Sequence, residues 1–463
     1  MRTGELGFWW RSLAEEQEQP RRAALSGSIE ADVAIVGAGY TGLWTAYYLK
    51  RAQPSLRVVV LEAQRAGFGA SGRNGGWVTG FFSGAPRRYE RGAGQPGFRA
   101  LQRAMFATVE EVVRVLDCEQ IDADLLKGGQ LAVALDDAQA LRLRAYVREM
   151  QALGLEQADL HGLDGAQLAE RLWIAGARSA TFSPHAARMH PAKLLAGLAH
   201  AVERLGVPIY ERTPVREIAA HEARVGTGGV LVRARWIVRA TEGYTASLRG
   251  LRRALVPMNS SMIVTEPLPA SVWDEIGWRG AELIDDGAHA FVYLQRTADG
   301  RIAIGGRGVP YRFGSRTDGE GSTARATIES LRAALQRMFP AASGCAIEHA
   351  WSGVLGVTRD WCPSVGADPR TGVAWAGGYA GQGVAAANLA GRTLCDMLRG
   401  ERTELTELPW VHARPPRAWE PEPLRWAGVR GVYALYREAD RSERRSGRPS
   451  RLGRLVDVAS GRC

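Results

Sequence analysis

Six side chains between residues 242 and 351 have the chemistry to bind or turn over a small molecule. Arg296 and Arg307 each carry a planar fork of donors able to grip a remote acid group in bidentate fashion, although an arginine on a strand can equally be solvated. Tyr293 and Trp351 are candidate cavity walls, with packing the stronger reading for both. His289 has the side chain of a base, but a lone histidine at a strand start is more often structural. Glu242, inside Ala240-Thr241-Glu242-Gly243-Tyr244, reads as a loop residue rather than an acid catalyst. None of the six forms a motif alone, so their meaning depends on what the chain places beside them.

The elements around them are organised by the stretch from Asp32 to Ala63. An apolar strand, Val33-Ala34-Ile35-Val36, runs into Gly37-Ala38-Gly39-Tyr40-Thr41-Gly42 and a helix from Leu43 to Arg51; a second strand, Arg57 to Leu61, ends at Glu62, twenty residues past Gly42. This is the spacing of a dinucleotide-binding βαβ unit. Gly37 allows the tight turn, Gly39 lets backbone approach a pyrophosphate, and Gly42 lets helix and strand pack closely. The helix N-terminus offers free N–H groups to phosphate, and Glu62, followed by Ala63, can accept from both ribose hydroxyls while disfavouring a 2′-phosphate. Just downstream, Gly67 to Gly76 holds five glycines in ten residues. That loop, with Gly69, Ala70, Ser71, Arg73, Asn74, Gly75 and Gly76, suits neither helix nor strand and can lay bare backbone against a flat ring.

A third glycine-rich unit closes the pattern. A strand, Val373 to Ala376, leads through Gly377-Gly378-Tyr379-Ala380-Gly381-Gln382-Gly383 into a helix, Val384 to Arg399, whose dipole suits negative charge. Between these units an amphipathic helix is expected through Leu101, Met105, Val109, Val112 and Leu116, a strand over Leu131 to Leu135, and a helix from Asp136-Asp137 to about Leu153. A helix follows His190-Pro191, then strands over Val207 to Val215, through Gly229 to Val232 and over Trp236 to Thr241. Leu255 to Leu268 and Phe291 to Gly306 read as β-rich, the latter a hairpin turning at Asp299-Gly300. Counting outward pairs Ala298 with Arg301, Arg296 with Ala303 and Val292 with Arg307. Tyr293, Gln295, Ile302 and Ile304 then share one face, and Leu294, Arg296, Ala303 and Arg307 the other. Phe8-Trp9-Trp10 is expected to fold back as an aromatic clasp. The tail after Leu408 shows a helix over Leu424 to Arg437 and a loose end beyond Ser442.

With 463 residues, a hydrophobic fraction of 46% and a net charge of +10, the chain fits a multi-lobed globular protein. Only Lys50, Lys127 and Lys193 are lysines, so the charge is carried by arginine. These arginines do not cluster among aromatics, which argues against nucleic acid as partner. Cys118, Cys345, Cys362, Cys395 and Cys463 are scattered without CxxC spacing, so neither a disulfide framework nor a metal site is expected. Met1 to Arg22 carries Glu5, Glu15, Glu16 and Glu18 and no apolar run of signal-peptide length, and Val373 to Gly391 is too broken by glycine to span a membrane. A reducing cytoplasm is the expected compartment.

Taken together, Val33 to Gly42, Gly67 to Trp77, Ala240 to Tyr244 and Gly378 to Val384 resemble the FAD-dependent amino acid and amine oxidoreductase family, the group of D-amino acid oxidase, glycine oxidase and sarcosine oxidase. The N-terminal tryptophans, the Ala70 to Gly76 loop and Arg359-Asp360-Trp361-Cys362-Pro363-Ser364 look most like its γ-glutamylputrescine oxidoreductase branch. The resemblance implies a mixed α/β fold: a Rossmann-type FAD lobe (1–90, 185–255, 345–408) with a β-sheet substrate lobe (91–184, 256–344) inserted between its segments, and a C-terminal extension (409–463). It assigns Gly37, Gly39, Tyr40, Thr41 and Gly42 to the pyrophosphate, Glu62 and Ala63 to the adenosine ribose, and Gly69 to Gly76 to the ring and ribityl chain. Val215 meets the adenine through its backbone, Ala240 and Thr241 flank the site, and Gly378, Tyr379, Gly381, Gln382, Gly383 and Val384 face the pyrimidine end.

The implied reaction takes a hydride from the carbon beside an amine nitrogen to the flavin and leaves an imine for water to hydrolyse. The partners are then a small-molecule amine and molecular oxygen or another electron acceptor, with oligomeric state left open. Three departures qualify the resemblance. Ala303 stands where oxygen-using members place a lysine, and Ala385 where carboxylate-gripping members place one. No cysteine or histidine stands at the covalent attachment positions, for which Arg73 and Gly353 are the counterparts, so FAD is expected to be non-covalent. The alternative is a flavin-dependent tRNA-modification oxidoreductase, or another flavoprotein with a dedicated biosynthetic substrate.

Overall fold

The computed structural model of the protein describes residues 1–5, 7–16 and 21–461; Glu18 and Cys463 lie outside the described residues. Val33 to Val36 are buried on both faces of the strand Ile29–Val36, as a parallel sheet covered on two sides requires. Val58–Leu61 and Val230–Arg239 flank it, both parallel. The sheet has eight strands, and Val373–Gly377 joins it on the far side of Val230–Arg239. Gly37 leaves the first strand at φ +106, donating its N–H to the Leu61 carbonyl over 2.8 Å. The helix that follows spans Tyr40–Ala52, so it begins three residues before the expected Leu43.

Two strand expectations need correction. Val230–Arg239 is one strand rather than two pieces. Val207 to Val215 is instead interrupted, leaving Ile209–Tyr210 and starting Val215–Ala219, because Arg212 turns through φ +49 before Pro214. The long helix is also larger than its periodicity suggested, running Pro86–Glu119 with a break at Gly94 (φ 69) ahead of Pro96.

A second, nine-stranded sheet runs in the order Arg2–Thr3, Ile347–Val357, Val256–Thr265, Ile302–Gly306, Val292–Arg296, Leu283–Asp286, Gln130–Ala134, Ser179–Ser183, His161–Asp164. Ile347–Val357 therefore belongs by hydrogen bonding to this larger sheet, although it lies within the segment 345–408 expected on the FAD side. The hairpin at Asp299-Gly300 is in a different register from that expected. Tyr293 pairs with Gly305, Gln295 with Ala303 and Arg296 with Ile302. The loop is three residues, closed by Thr297 and Arg301, with Gly300 left-handed at φ +75, and the one-residue slip exchanges the faces. Tyr293, Gln295, Ala303 and Gly305 share one face; Leu294, Arg296, Ile302 and Ile304 share the other.

Both termini hold the structure. Phe8–Glu16 is a helix whose Phe8, Trp9 and Trp10 are buried. Trp9 Nε1 donates to the Asn74 carbonyl (2.8 Å), and a Cβ on Gly72 would meet Trp10 Nε1 at 2.1 Å, so this aromatic clasp presses on the second glycine loop. The tail is not loose beyond Ser442: Leu424–Ser446 and Arg451–Ser460 are both helical. No helix among the described residues is long and apolar enough to cross a membrane.

Candidate functional site

The first glycine turn has no room for side chains. A Cβ on Gly42 would lie 1.9 Å from the Gly37 carbonyl oxygen, one on Gly37 would lie 2.6 Å from that of Ala240, and one on Gly39 would meet Ser71 Oγ at 2.8 Å. Gly39 gives the helix Tyr40–Ala52 no side-chain cap, and although Tyr40 N–H donates to Ser71 Oγ at 2.9 Å, the next N–H groups of the first turn are left for an anion. Glu62 accepts from Ala38 N–H and Gln64 N–H, each at 2.9 Å, and Ala63 lies between them. Burial pushes its carboxyl up from the usual range. Ala240 N–H donates to Val36 over 2.9 Å and Thr241 pairs its hydroxyl with Thr245 at 2.8 Å, so both brace the same turn. Val215 starts the strand beyond Pro214, paired with Val225.

A cavity of ≈ 520 Å³ opens where this helix, the second glycine loop, the third glycine loop and the nine-stranded sheet converge. Tyr40, Thr41, Ala70, Ser71, Arg73, Asn74 and Gly75 line one side of it, and Tyr379, Gly381, Gln382, Gly383 and Val384 another. Gly69 and Gly76 sit behind the wall, Gly69 against the Tyr244 ring and Gly76 against the Gln295 amide. Arg73 is buried and fixed by the Phe68 and Gly319 carbonyls at 2.9 Å each. Gly378, at φ +79, turns the chain into Tyr379, whose hydroxyl meets Thr41 Oγ1 at 3.0 Å.

Glu242 links these parts, and its φ of +43 is strained for a residue with a side chain. Its carboxylate accepts from Gly356 N–H at 2.6 Å and Tyr379 N–H at 3.0 Å, and burial pushes it up to about 7. It therefore positions the third glycine loop, a role its reading as a plain loop residue had missed.

The sheet supplies the remaining wall. Thr181, Ala132, Asp285, Tyr293 and Gly305 stand in one row across neighbouring strands, spaced by about 4.8 Å. The Tyr293 ring overlies Gly305, where a Cβ would come within 2.3 Å, and abuts Gly75, where one would come within 2.7 Å. Its hydroxyl meets Ser260 Oγ at 2.9 Å. Beside it, Asp285 receives one hydrogen bond, from Gln130 Nε2 to Oδ2 at 3.0 Å, and Gln130 is held by Thr79 at 2.8 Å. Asp286 receives Val292 N–H at 2.9 Å. Burial, with Asp286 adjacent, pushes the Asp285 carboxyl up to about 8, and burial pushes Asp286 up to about 7. Neither has an ion-pair partner among the described residues. The signal that could have found them was two acids ending an apolar strand.

Three candidates fall away. Arg296 faces the other side of the sheet, its guanidinium 4.1 Å over the Trp273 ring and donating to the Trp278 carbonyl, because it stands three residues from Tyr293 on a strand whose side chains alternate. Trp351 is fully buried, donating to the Arg73 carbonyl at 3.0 Å and packed on Phe8 and Trp9; it supports the wall from behind. His289 is held outside the cavity lining, by Arg142 and Glu443. Arg307 does reach the cavity, donating through Nη2 to the Ala380 carbonyl at 3.1 Å while its buried Nη1 has no partner.

These features fit FAD. Two uncapped helix N-termini, at Tyr40 and Gly383, point to one cavity, and beside the second lie an unpartnered buried acceptor, Gln382 Oε1, and an unpartnered buried donor, Arg307 Nη1. A phosphate suits the first terminus, and a ring edge with both donors and acceptors suits the second. Among the described lining residues none is Lys, Cys or His.

Known proteins agree. The chain is 31% identical over 380 residues to gamma-glutamylputrescine oxidoreductase of Escherichia coli (strain K12), covering 81% of this chain and 85% of that protein. It is 23% identical over 390 residues to glycine oxidase of Geobacillus kaustophilus (strain HTA426), covering 83% and 97%. The crystal structure of glycine oxidase from Geobacillus kaustophilus superposes with a TM-score of 0.68 at 21% identity, over 83% of this chain and 99% of that one. The family described as FAD dependent oxidoreductase (DAO) matches residues 32–397. The chain belongs to the DAO family of FAD-dependent oxidoreductases, and its cofactor is FAD.

Proposed function

We propose that this enzyme oxidises the C–N bond of a small amine whose product imine is hydrolysed by water. The observation that carries the reading is the Asp285 carboxyl, buried and without an ion-pair partner among the described residues, on a stretch of cavity wall that it shares with Tyr146, Phe291, Tyr293 and Trp77. A buried carboxyl set among aromatic rings and left without an ion pair suits a cationic substrate. The relative named for gamma-glutamylputrescine points the same way, whereas the Asp285 carboxyl disfavours a simple amino acid such as that in the name of glycine oxidase.

FAD, when bound, supplies the hydride acceptor. The chain's own residues prepare the amine. Asp285 in its ionised form draws in the ammonium, and its oxygen left free by Gln130, Oδ1, takes a proton from it, because a carboxyl raised to about 8 lies closer to an alkylamine's pKa of about 10 than an ordinary one does. The Tyr293 ring and the aromatic walls exclude water from the neutral amine so formed. Arg307 holds the third glycine loop through Ala380 and offers Nη1 to the flavin edge or to an acid group of the substrate. Flavin attachment is non-covalent, in keeping with a wall free of Cys and His among the described residues. The four described cysteines are all unpaired, in keeping with a reducing cytoplasm.

The test is anaerobic bleaching of flavin absorbance by polyamines, γ-glutamylated amines, N-methyl amino acids and D-amino acids, then admission of air. Bleaching by a cationic amine supports the reading, and the speed of recolouring separates oxidase from dehydrogenase; bleaching by amino acids alone overturns it. Flavin that stays with acid-precipitated protein would overturn non-covalent attachment.

A further inference from the structure

The family match ends at residue 397, yet the helix Leu424–Ser446 reaches the cavity's far wall. Between the carboxylate strand and Val292–Arg296 the chain makes a short loop, and Asp286, Gly287, Ala288 and Phe291 all line the cavity. The outer side of that loop meets two buried acids of the C-terminal helix. Asp440, 6% exposed, accepts His289 N–H through Oδ1 at 2.9 Å and Ala290 N–H through Oδ2 at 3.1 Å. Glu443, 2% exposed, bonds the His289 ring at 3.2 Å and accepts Ser450 N–H at 2.8 Å.

Arg142 completes the arrangement. It donates to Glu443 and to the Gly287 carbonyl, and its Nη2 lies 2.9 Å from His289 Nε2. The His289 ring stacks on Tyr436 with centroids 5.4 Å apart and planes 11° from parallel, and the Tyr436 hydroxyl donates to Asp457 of the last helix at 2.6 Å. His289, Asp440 and Glu443 are close enough to hold a metal ion, but the Arg142 guanidinium already lies against Glu443 and His289, so the group is an ionic knot. Arg142 belongs to Asp137–Ala152, whose Leu143 and Tyr146 also line the cavity. Burying two carboxylates is costly unless each is bonded, and here each is spent on the cavity loop.

We infer that the C-terminal extension is a specificity-determining part of the substrate cavity, with Asp440 and Glu443 as positioning residues that fix the 286–291 loop and thereby set which amine substituent fits beside Asp285. The inference rests on the amine reading above for its substrate class, and on the hydrogen bonds alone for the tether.

The test uses full-length holoenzyme: Asp440→Ala, Asp440→Asn, and Glu438→Ala on the exposed face of the same helix. Two readouts are taken, amide hydrogen exchange across 286–291, and kinetics with the best-bleaching amine and its one-carbon-shorter and longer homologues. In Asp440→Ala, exchange at 286–291 should rise at least tenfold while Ile302–Gly306 stays protected. KM should rise about tenfold with kcat within threefold, the preference among homologues should shrink, and FAD content should not change. Asp440→Asn, which keeps one acceptor, should fall between, and Glu438→Ala should match wild type. Unchanged exchange, or faster exchange with KM and homologue preference intact, overturns the inference. So does a parallel loss of kcat, FAD and protection throughout the chain, which marks a general structural role. If no amine bleaches wild type, the amine reading fails separately and the exchange readout, which needs no turnover, still decides the tether.

Discussion

Asp285 is the residue whose removal should separate stability from activity. Its carboxyl is raised to about 8, so the folded chain holds a proton that the unfolded chain releases near the ordinary value of about 3.9. Stability therefore falls as pH rises from about 4 through 8. Asp285→Asn should remove that slope and raise the melting temperature at pH 9 relative to wild type, while kcat/KM for the amine drops by about 100-fold, within the range of a lost general base. The rise of kcat/KM through the titration of Asp285 should vanish in the same variant, leaving only the limb of the amine itself. A fall in melting temperature at pH 9 would refute the buried-charge account. Glu242→Ala removes an acceptor from the buried N–H groups of Gly356 and Tyr379, which costs roughly 2–6 kcal/mol at about 1–3 kcal/mol per orphaned group; flavin affinity measured by fluorescence should fall at least tenfold. Residue types alone led to Arg307 and Tyr293 but not to these acids. A glutamate with left-handed backbone and an aspartate pair at a strand end acquire their roles only when chain segments over a hundred residues apart meet.

At the scale of elements, the glycine units were legible because each glycine answers a local steric demand, visible as spacing. Gly42→Ala places a Cβ 1.9 Å from a backbone oxygen that cannot yield. The expected outcome is colourless protein from a chain with near-normal far-UV circular dichroism. A yellow Gly42→Ala protein would place the cofactor elsewhere. The hairpin was legible as a hairpin and misread in register, because Asp-Gly suits a two-residue turn and also closes a three-residue one with glycine left-handed. That single slip placed Ala303 and Gly305 beside Gln295 and Tyr293 and parted Arg296 from the face that carries Ala303. The C-terminal helices were legible in part. Their arginines look solvated in sequence, while the buried acids between them declare themselves only against the loop they hold.

For the whole molecule, FAD occupying a cavity bounded by the nine-stranded sheet and by the helices and glycine loops that lead from the eight-stranded one should make unfolding cooperative between the two sheets. Ligand at about 100 times its Kd adds roughly 2.7 kcal/mol, so apoprotein should melt several degrees below holoenzyme, with flavin release and loss of far-UV signal coinciding. Two well-separated transitions in the holoenzyme would count against a shared site. The topology has a further consequence for how the enzyme is made. The helix at Tyr40 and the helix at Gly383 border one cavity, and the strand Val373–Gly377 seals the sheet begun by Ile29–Val36 through Val230–Arg239. At about 5–20 residues per second, the roughly 340 residues between the two helices take on the order of half a minute to emerge from the ribosome. Until then the nascent chain has the first glycine turn but not the third, so cofactor capture should be a late event of synthesis, and a message truncated anywhere before the third glycine loop should yield a polypeptide unable to hold its flavin.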